Sequence, residues 1–213
     1  MCDFNNLIED LYLNKEWRIE ELRKIGIIIS NNIDIEIQSL FFRSLIPMIY
    51  AHWEGFVVSS IKKYFDCLNS FDFSIKEMDI HYIVTAFEEK LENIVKSQNF
   101  DKRKKHLKIL LSLLNNNIKF TNKKIDTKSN LNFEILIMIC DKLRFNQNKF
   151  RDYKVDLNEL VNIRNAIAHG DTPAFEFKEY EEIEKYISLI ENLMLDFISE
   201  IEDIIKMNKF KKG

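Results

Sequence analysis

The sequence is poor in the residues that form tight turns and covalent cross-links. Its 213 residues include only four glycines, two prolines and three cysteines. So few turn-forming residues disfavour a sheet of many strands. Because Cys2, Cys67 and Cys140 lie far apart and form no Cys-x-x-Cys pair, neither a disulfide framework nor a cysteine-based zinc site is expected.

The sequence also lacks a long apolar segment. Its longest apolar runs, at 25–29 and 135–140, are far shorter than the ~20 residues that cross a membrane. The first residues contain neither the basic nor the apolar region of a signal peptide. We therefore expect a cytoplasmic protein, in a reducing compartment, that has no membrane partner.

The net charge of −3 conceals two segments of opposite sign. Residues 96–128 contain ten Lys or Arg against two Asp, and residues 176–203 contain ten acids against two Lys. The basic segment is either a surface that attracts phosphate or an ordinary solvated face. Phe100 is the only aromatic residue near the basic group at 102–108, which favours electrostatic guidance of RNA over base stacking. The residues expected to guide RNA are Lys102, Arg103, Lys104, Lys105 and Lys108.

Abundant Leu, Ile, Lys and Glu predict an all-α fold, and the length fits a single domain over residues 1–213. Apolar periodicity predicts a bundle of five to seven helices. Ser74 and Glu77 form a capping-box pattern at the start of one helix, and Pro47 is expected to kink or interrupt another. The predicted helices cover about residues 6–30, 35–68, 75–96, 102–114, 131–143, 157–169 and 177–207.

The last of these helices has the clearest periodicity. Its apolar residues alternate steps of four and three, and this pattern predicts a long amphipathic helix with one face buried in the bundle. Residues 115–130 are polar and are predicted to form a loop, and residues 209–213 a flexible, solvated tail. The apolar stripe consists of Ile183, Ile187, Ile190, Met194, Phe197, Ile201 and Ile204.

Residues 164–170 read Arg-Asn-Ala-Ile-Ala-His-Gly and are the segment most informative about function. Asp156 is predicted to cap the helix that contains them, with Glu159 three residues further on. Gly170 suits the left-handed backbone position that ends a helix. The motif is therefore expected on the last turns of one helix.

Arg164 and His169 combine a cation with a proton-transfer group. On a helix they are about 140° apart, whereas Asn165 and His169 are about 40° apart and share one face. The long Arg164 side chain can still reach a phosphate near the imidazole, and its planar guanidinium matches phosphate oxygens in two-point contacts. The structural alternative is a histidine favoured by the helix C-terminus, with Arg164 in a surface ion pair.

Cleavage of RNA without a metal requires two proton transfers. One removes the proton of the 2′-hydroxyl and the other protonates the departing 5′ oxygen, and histidine can do either near neutral pH. Because one histidine per chain is poorly suited to both tasks at once, a two-fold dimer is expected to place two motif helices around one phosphate. The expected products end in a 2′,3′-cyclic phosphate and a 5′-hydroxyl.

Other residues give weaker signals. His81 and His106 have no metal ligands at suitable spacing, and four scattered glycines cannot form a phosphate loop, so neither a metal nor a cofactor is expected. Glu54 is a further candidate, as a carboxylate that orients the arginine or histidine of the motif from across the bundle. His52 and Trp53 are predicted to be packing residues.

The segment 156–170 resembles the signature of the HEPN superfamily of helical proteins. Three further segments are similar to the MAE-type HEPN-like nucleases of bacteria. They are Trp-Arg-Ile-Glu-Glu-Leu at 17–22, Tyr-Ala-His-Trp-Glu-Gly-Phe at 50–56 and Ile-Asp-Thr-Lys-Ser-Asn-Leu-Asn-Phe at 125–133. Together the segments span most of the chain.

The resemblance implies an HEPN-like helical bundle, a homodimer and metal-independent endoribonuclease activity of the toxin or phage-defence kind. Arg164 and His169 match the arginine and histidine of the superfamily, and Asn165 matches its usual polar residue. RNA would be the substrate and an antitoxin protein a candidate partner. Two alternatives stay open: a non-catalytic HEPN module that binds RNA, nucleotide or a protein, and a scaffold dimer that uses the apolar face of the last helix.

Overall fold

A computed structural model describes residues 3–97, 99–113, 116–121, 130–170 and 177–213. Over these residues the chain forms seven α-helices and two 3-10 segments, with isolated β-bridges but no strand. The predicted all-α bundle is therefore confirmed. The helices are α1 Phe4–Asn32, α2 Ile35–Ser70, α3 Ile80–Lys96, α4 Phe100–Leu113, α5 Phe133–Leu143, α6 Lys154–His169 and α7 Tyr180–Lys206.

The amphipathic face predicted for the last helix is the inner face of α7. Every residue of the predicted stripe is fully buried, and α7 packs lengthwise against α1 and α2. A capping box between Glu179 and Glu182 begins this helix. The periodicity is clear because α7 has one buried and one solvated side.

The long helix α2 packs against α1, α6 and α7. Trp53 and Phe56 point toward α7, where the Phe197 ring meets them edge-on at centroid distances of 6.5 Å and 6.2 Å. The helix continues through Pro47, so of the expected kink or interruption the interruption does not occur. Ile46 and Ile49, on either side of the proline, are fully buried.

Two helix starts differ from their predictions. The capping box of Ser74 and Glu77 forms, but it begins only a 3-10 turn, and Asp79 caps α3 instead. Asp156 does not cap α6, because the 3-10 segment Gln147–Tyr153 runs directly into that helix at Lys154. Asp156 lies in the first turn and pairs with Lys185 of α7 at 3.3 Å.

The predicted polar loop 115–130 is described only at 116–121 and at residue 130. This part is not helical, as expected, but it is anchored in the core. Ile118 and Phe120 are buried, and the Phe120 ring stacks on Phe65 at a centroid distance of 4.4 Å. Residues 115 and 122–129 lie outside the described residues.

The segment 209–213, predicted to be a solvated tail, is anchored in the core at Phe210. Phe210 is buried, with its ring against Phe73 and Tyr82. Its backbone oxygen accepts a hydrogen bond from the Asp79 N–H, and Arg144 donates to the backbone oxygen of Lys209. One aromatic side chain and the backbone bonds around it therefore hold a segment that is otherwise rich in lysine.

The cysteines also differ in part from expectation. Cys140 is a free, buried thiol, whereas Cys67, which is buried too, is disulfide-bonded. Wide spacing along the chain did not exclude a bond, because a fold brings distant residues together. No helix in the described ranges is both long enough and apolar enough to cross a membrane.

We predict that Phe210→Ala lowers the free energy of unfolding by about 3 kcal/mol, because a fully buried ring is lost from the core. Chemical denaturation followed by circular dichroism measures this change. Phe100→Ala is the matched control, since the Phe100 ring is 77% exposed. Equal, small effects of both substitutions would mean that the tail contributes nothing to stability.

Candidate functional site

The helix α6 places Arg164, Asn165 and His169 on its last two turns. Gly170 ends the helix in the left-handed conformation, with φ 71°, as predicted. Its backbone N–H bonds back to the Ala166 and Ile167 carbonyls. A side chain at residue 170 would strain this turn, so the end of the motif helix is fixed by glycine.

Arg164 is half-buried between α6 and α2. Its guanidinium carbon lies 4.6 Å from the centre of the Tyr50 ring, and its Nη1 donates a 2.8 Å hydrogen bond to Asn165 Oδ1. Within the described parts of the chain Arg164 forms no ion pair, so the surface ion pair of the structural alternative is not found there. Among the described residues, its direct contacts are with a π face and an amide.

Asn165 connects the motif to the segment before α5. Its Nδ2 donates to Asn130 Oδ1 at 3.4 Å, a long and weak hydrogen bond. The next residue, Leu131, donates its backbone N–H to the Tyr50 hydroxyl at 2.6 Å. Tyr50 therefore contacts Arg164 through its ring and the 130–131 segment through its oxygen.

The Tyr50 hydroxyl is a neutral group at physiological pH. Burial raises the pKa of Tyr50 to about 12, the Leu131 N–H and the Arg164 charge oppose this rise, and Glu54 adds to it through its charge and a hydrogen bond. Tyr50 lies one helical turn before Glu54 on α2. Glu54 is thus linked to the site through Tyr50. The predicted orientation of the motif by Glu54 stays a prediction.

His169 is exposed at the end of α6. In the described ranges no hydrogen bond or ion pair links it to Arg164. The two residues that the sequence paired thus differ in environment: one is held against α2 and the other is open to solvent. An accessible imidazole and a held guanidinium suit proton transfer and phosphate binding, respectively.

A family model for RiboL-PSP-HEPN matches residues 13–203 of the chain. The chain belongs to the RiboL-PSP-HEPN family. The match extends from α1 to α7 and includes the whole motif, which confirms the HEPN superfamily resemblance. The similarity to MAE-type nucleases stays a resemblance in sequence. No curated protein and no solved structure gives a significant match.

The basic residues expected to guide RNA lie on a different helix from the HEPN motif. They are exposed on α4, a helix that has no fully buried side chain and packs on α3. The helix α3 in turn packs on α5, so α4 lies on the outside of the bundle. These residues are Lys102, Arg103, Lys104, Lys105 and Lys108, and their role in guidance stays a prediction.

A second polar cluster of this HEPN chain, missed by sequence analysis, joins α1 to α2. Arg18 donates to Asn14 Oδ1 at 3.0 Å and to the His52 carbonyl at 3.3 Å, and lies 4.5 Å from the Trp17 ring centre. His52 Nε2 is 3.3 Å from a Glu21 carboxylate oxygen. Burial lowers the pKa of His52 and the Arg18 charge adds to this, against the opposing charge of Glu21. Apart from Asn14, the cluster lies in two of the segments that resemble MAE-type nucleases, 17–22 and 50–56.

Sequence analysis also missed Tyr50 and Asn130 as neighbours of the motif. Tyr50 stands four residues before Glu54, a spacing that places both on one side of α2. That spacing was the available signal, but it does not identify the helix on which the two residues pack. Only the folded chain shows that Arg164 lies on the Tyr50 ring.

We predict that His169→Ala changes the free energy of unfolding by less than about 1 kcal/mol, because the side chain is exposed at a helix end. Thermal melting measures this. Leu160→Ala, at a fully buried position of the same helix, should cost about 2–5 kcal/mol and shows that the assay is sensitive. A similar loss for His169→Ala would indicate a structural role for the histidine.

Proposed function

We propose that this HEPN protein is an endoribonuclease in which Arg164 binds the scissile phosphate and His169 transfers protons. One observation supports this most directly. The Arg164 guanidinium is held by an aromatic ring and an amide, without an ion pair in the described residues, five positions before an exposed imidazole. Its charge is therefore available to an anionic ligand.

Arg164 would act on the charge that develops at phosphorus. Its planar fork donates two parallel hydrogen bonds to phosphate oxygens, which a lysine cannot do. Contact with the Tyr50 ring and with Asn165 reduces the side-chain freedom that is lost on binding. A donor that is already oriented stabilises a transition state better than one that must reorganise.

His169 would transfer the protons of the reaction. The 2′ oxygen attacks the adjacent phosphorus, its proton passes to a base, and the P–O5′ bond breaks as the 5′ oxygen gains a proton. The products are a 2′,3′-cyclic phosphate and a 5′-hydroxyl. The reaction consumes no co-reactant, and the arginine supplies the positive charge that a metal supplies elsewhere.

A homodimer would complete this site. One protomer contributes one motif histidine, whereas the reaction needs a base and an acid on opposite sides of the phosphate. A two-fold pairing of the ends of two α6 helices would supply both, together with two arginines. The proposed setting is that of a toxin or phage-defence nuclease, for which an antitoxin protein is the expected partner.

We predict that the purified protein cleaves a mixed RNA pool in excess EDTA and leaves cyclic phosphate ends. His169→Ala should abolish cleavage, and Arg164→Ala should lower its rate by about 100-fold or more, because proton transfer and charge stabilisation each contribute that much. End-specific labelling of the products identifies the cyclic phosphate.

His106→Ala is the matched histidine control, because His106 lies on α4, a different helix that packs on α3. It should cleave like the wild type. Equal cleavage by wild type and His169→Ala would overturn the assigned role. Binding without cleavage by the wild type would favour the non-catalytic HEPN module.

We further predict that the active species has twice the chain mass of 25.5 kDa, since one protomer holds half of the proton-transfer groups. Size-exclusion chromatography with light scattering, run on the fractions that cleave RNA, measures this mass. A strictly monomeric protein with full activity would remove the paired-motif mechanism while leaving the ribonuclease assignment in place.

A further inference from the structure

We propose that Tyr50 is the positioning residue of the site and that it holds both polar members of the motif through two different groups. Its ring orients Arg164, and its hydroxyl fixes the segment that contacts Asn165. The catalytic consequence of this inference rests on the proposed ribonuclease function, but the structural part does not.

The ring of Tyr50 provides a fixed platform. Tyr50 is 1% exposed and lies on α2 between fully buried Ile49 and Trp53. Its position is therefore set by the packing of the core, not by solvent. The Arg164 guanidinium, 4.6 Å above the ring, gains cation–π attraction while its edge remains able to donate hydrogen bonds. A guanidinium held over a buried ring has fewer orientations than one in solvent.

The hydroxyl of Tyr50 acts on the other half of the motif. It accepts the Leu131 N–H at 2.6 Å, and Leu131 is fully buried. Without this oxygen the buried Leu131 N–H would lose its hydrogen-bond partner. The free-energy cost of an unpaired buried donor would favour movement of the segment around Leu131. Asn130 precedes Leu131, and its side chain accepts the Asn165 amide. Movement at Leu131 would therefore reach Asn165 and, through the 2.8 Å bond, Arg164.

Glu54 completes this arrangement on the same helix. Its carboxylate acts on the Tyr50 hydroxyl as a hydrogen-bond acceptor and as a negative charge. Glu54 therefore acts on the same residue that contacts Arg164 and Leu131.

Two substitutions separate the two groups of Tyr50. Tyr50→Phe keeps the ring and removes the oxygen, whereas Tyr50→Leu removes both. Tyr64→Leu is the matched control: Tyr64 is a fully buried tyrosine of α2 whose hydroxyl bonds to Tyr82 at 3.0 Å. It should cost similar stability without contact with the motif.

The first measurement is the Nε–H signal of Arg164 in a proton–nitrogen NMR spectrum, assigned from its loss in Arg164→Lys. We expect a ring-shifted proton in the wild type, in Tyr50→Phe and in Tyr64→Leu, and loss of that shift in Tyr50→Leu. Hydrogen exchange of the Leu131 amide should become faster in Tyr50→Phe than in the wild type. Both readouts are independent of RNA cleavage.

The second measurement is RNA cleavage. Tyr50→Leu should lower kcat by about tenfold with a smaller change in KM, because a disordered guanidinium stabilises the developing charge less. Tyr50→Phe should recover most of this loss. In the Arg164→Ala background, Tyr50→Leu should add little, since the two residues would act as one unit.

The outcomes are distinguishable. A folded Tyr50→Leu with an unchanged Arg164 signal overturns the inference, as does an equal change in Tyr64→Leu. If Tyr50→Leu does not fold, Tyr50→Phe decides: loss of its Arg164 shift or an unchanged Leu131 exchange rate contradicts the proposed roles. If the spectra behave as expected while wild type leaves RNA intact, the ribonuclease proposal fails and the positioning role of Tyr50 stands.

Discussion

The packing of α2 against three helices at once is the constraint on which the rest of the structure depends. A helix turns 100° per residue, so one short segment can face every neighbour. Tyr50 faces Arg164 of α6. His52 faces α1, where it contacts Glu21 and Arg18. Trp53 faces Phe197 of α7. Because α1 and α7 also pack on each other, α2 has little freedom to shift. The position of α6, and with it the motif, follows from this arrangement.

The motif therefore has a held part and an accessible part. Arg164 and Asn165 contact one another and two other segments of the chain, so their orientation is determined by the bundle. His169 stands one turn further on, exposed beside the glycine that ends the helix. A phosphate-binding group benefits from fixed geometry, whereas a proton-transfer group must reach solvent or substrate. In the proposed mechanism the helix end meets both requirements within six residues.

Whether the sequence predicts the place of a residue in the fold depends on how that residue is buried. The apolar stripe of α7 was predictable, because the apolar residues of a helix with one buried face recur with a single period along the sequence. The placement of Arg164, Asn165 and His169 on one helix was predictable for a similar local reason. The contact of Arg164 with Tyr50 was not, since it joins residues more than a hundred positions apart and α2 is apolar on several sides. Phe210 illustrates the opposite error: a lysine-rich segment appeared solvated, yet one ring anchors it in the core.

Membership of the RiboL-PSP-HEPN family establishes the fold, whereas activity has to be argued from the site. Residues five apart on a helix point about 140° away from each other. Arg164 is turned toward α2 and Tyr50, so its guanidinium lies on the side of α6 that packs in the bundle. In the proposed mechanism, an imidazole on another side of the same helix acts on a phosphate shared with a second copy. The contact that orders Arg164 is thus also the physical argument for a site shared between two protomers.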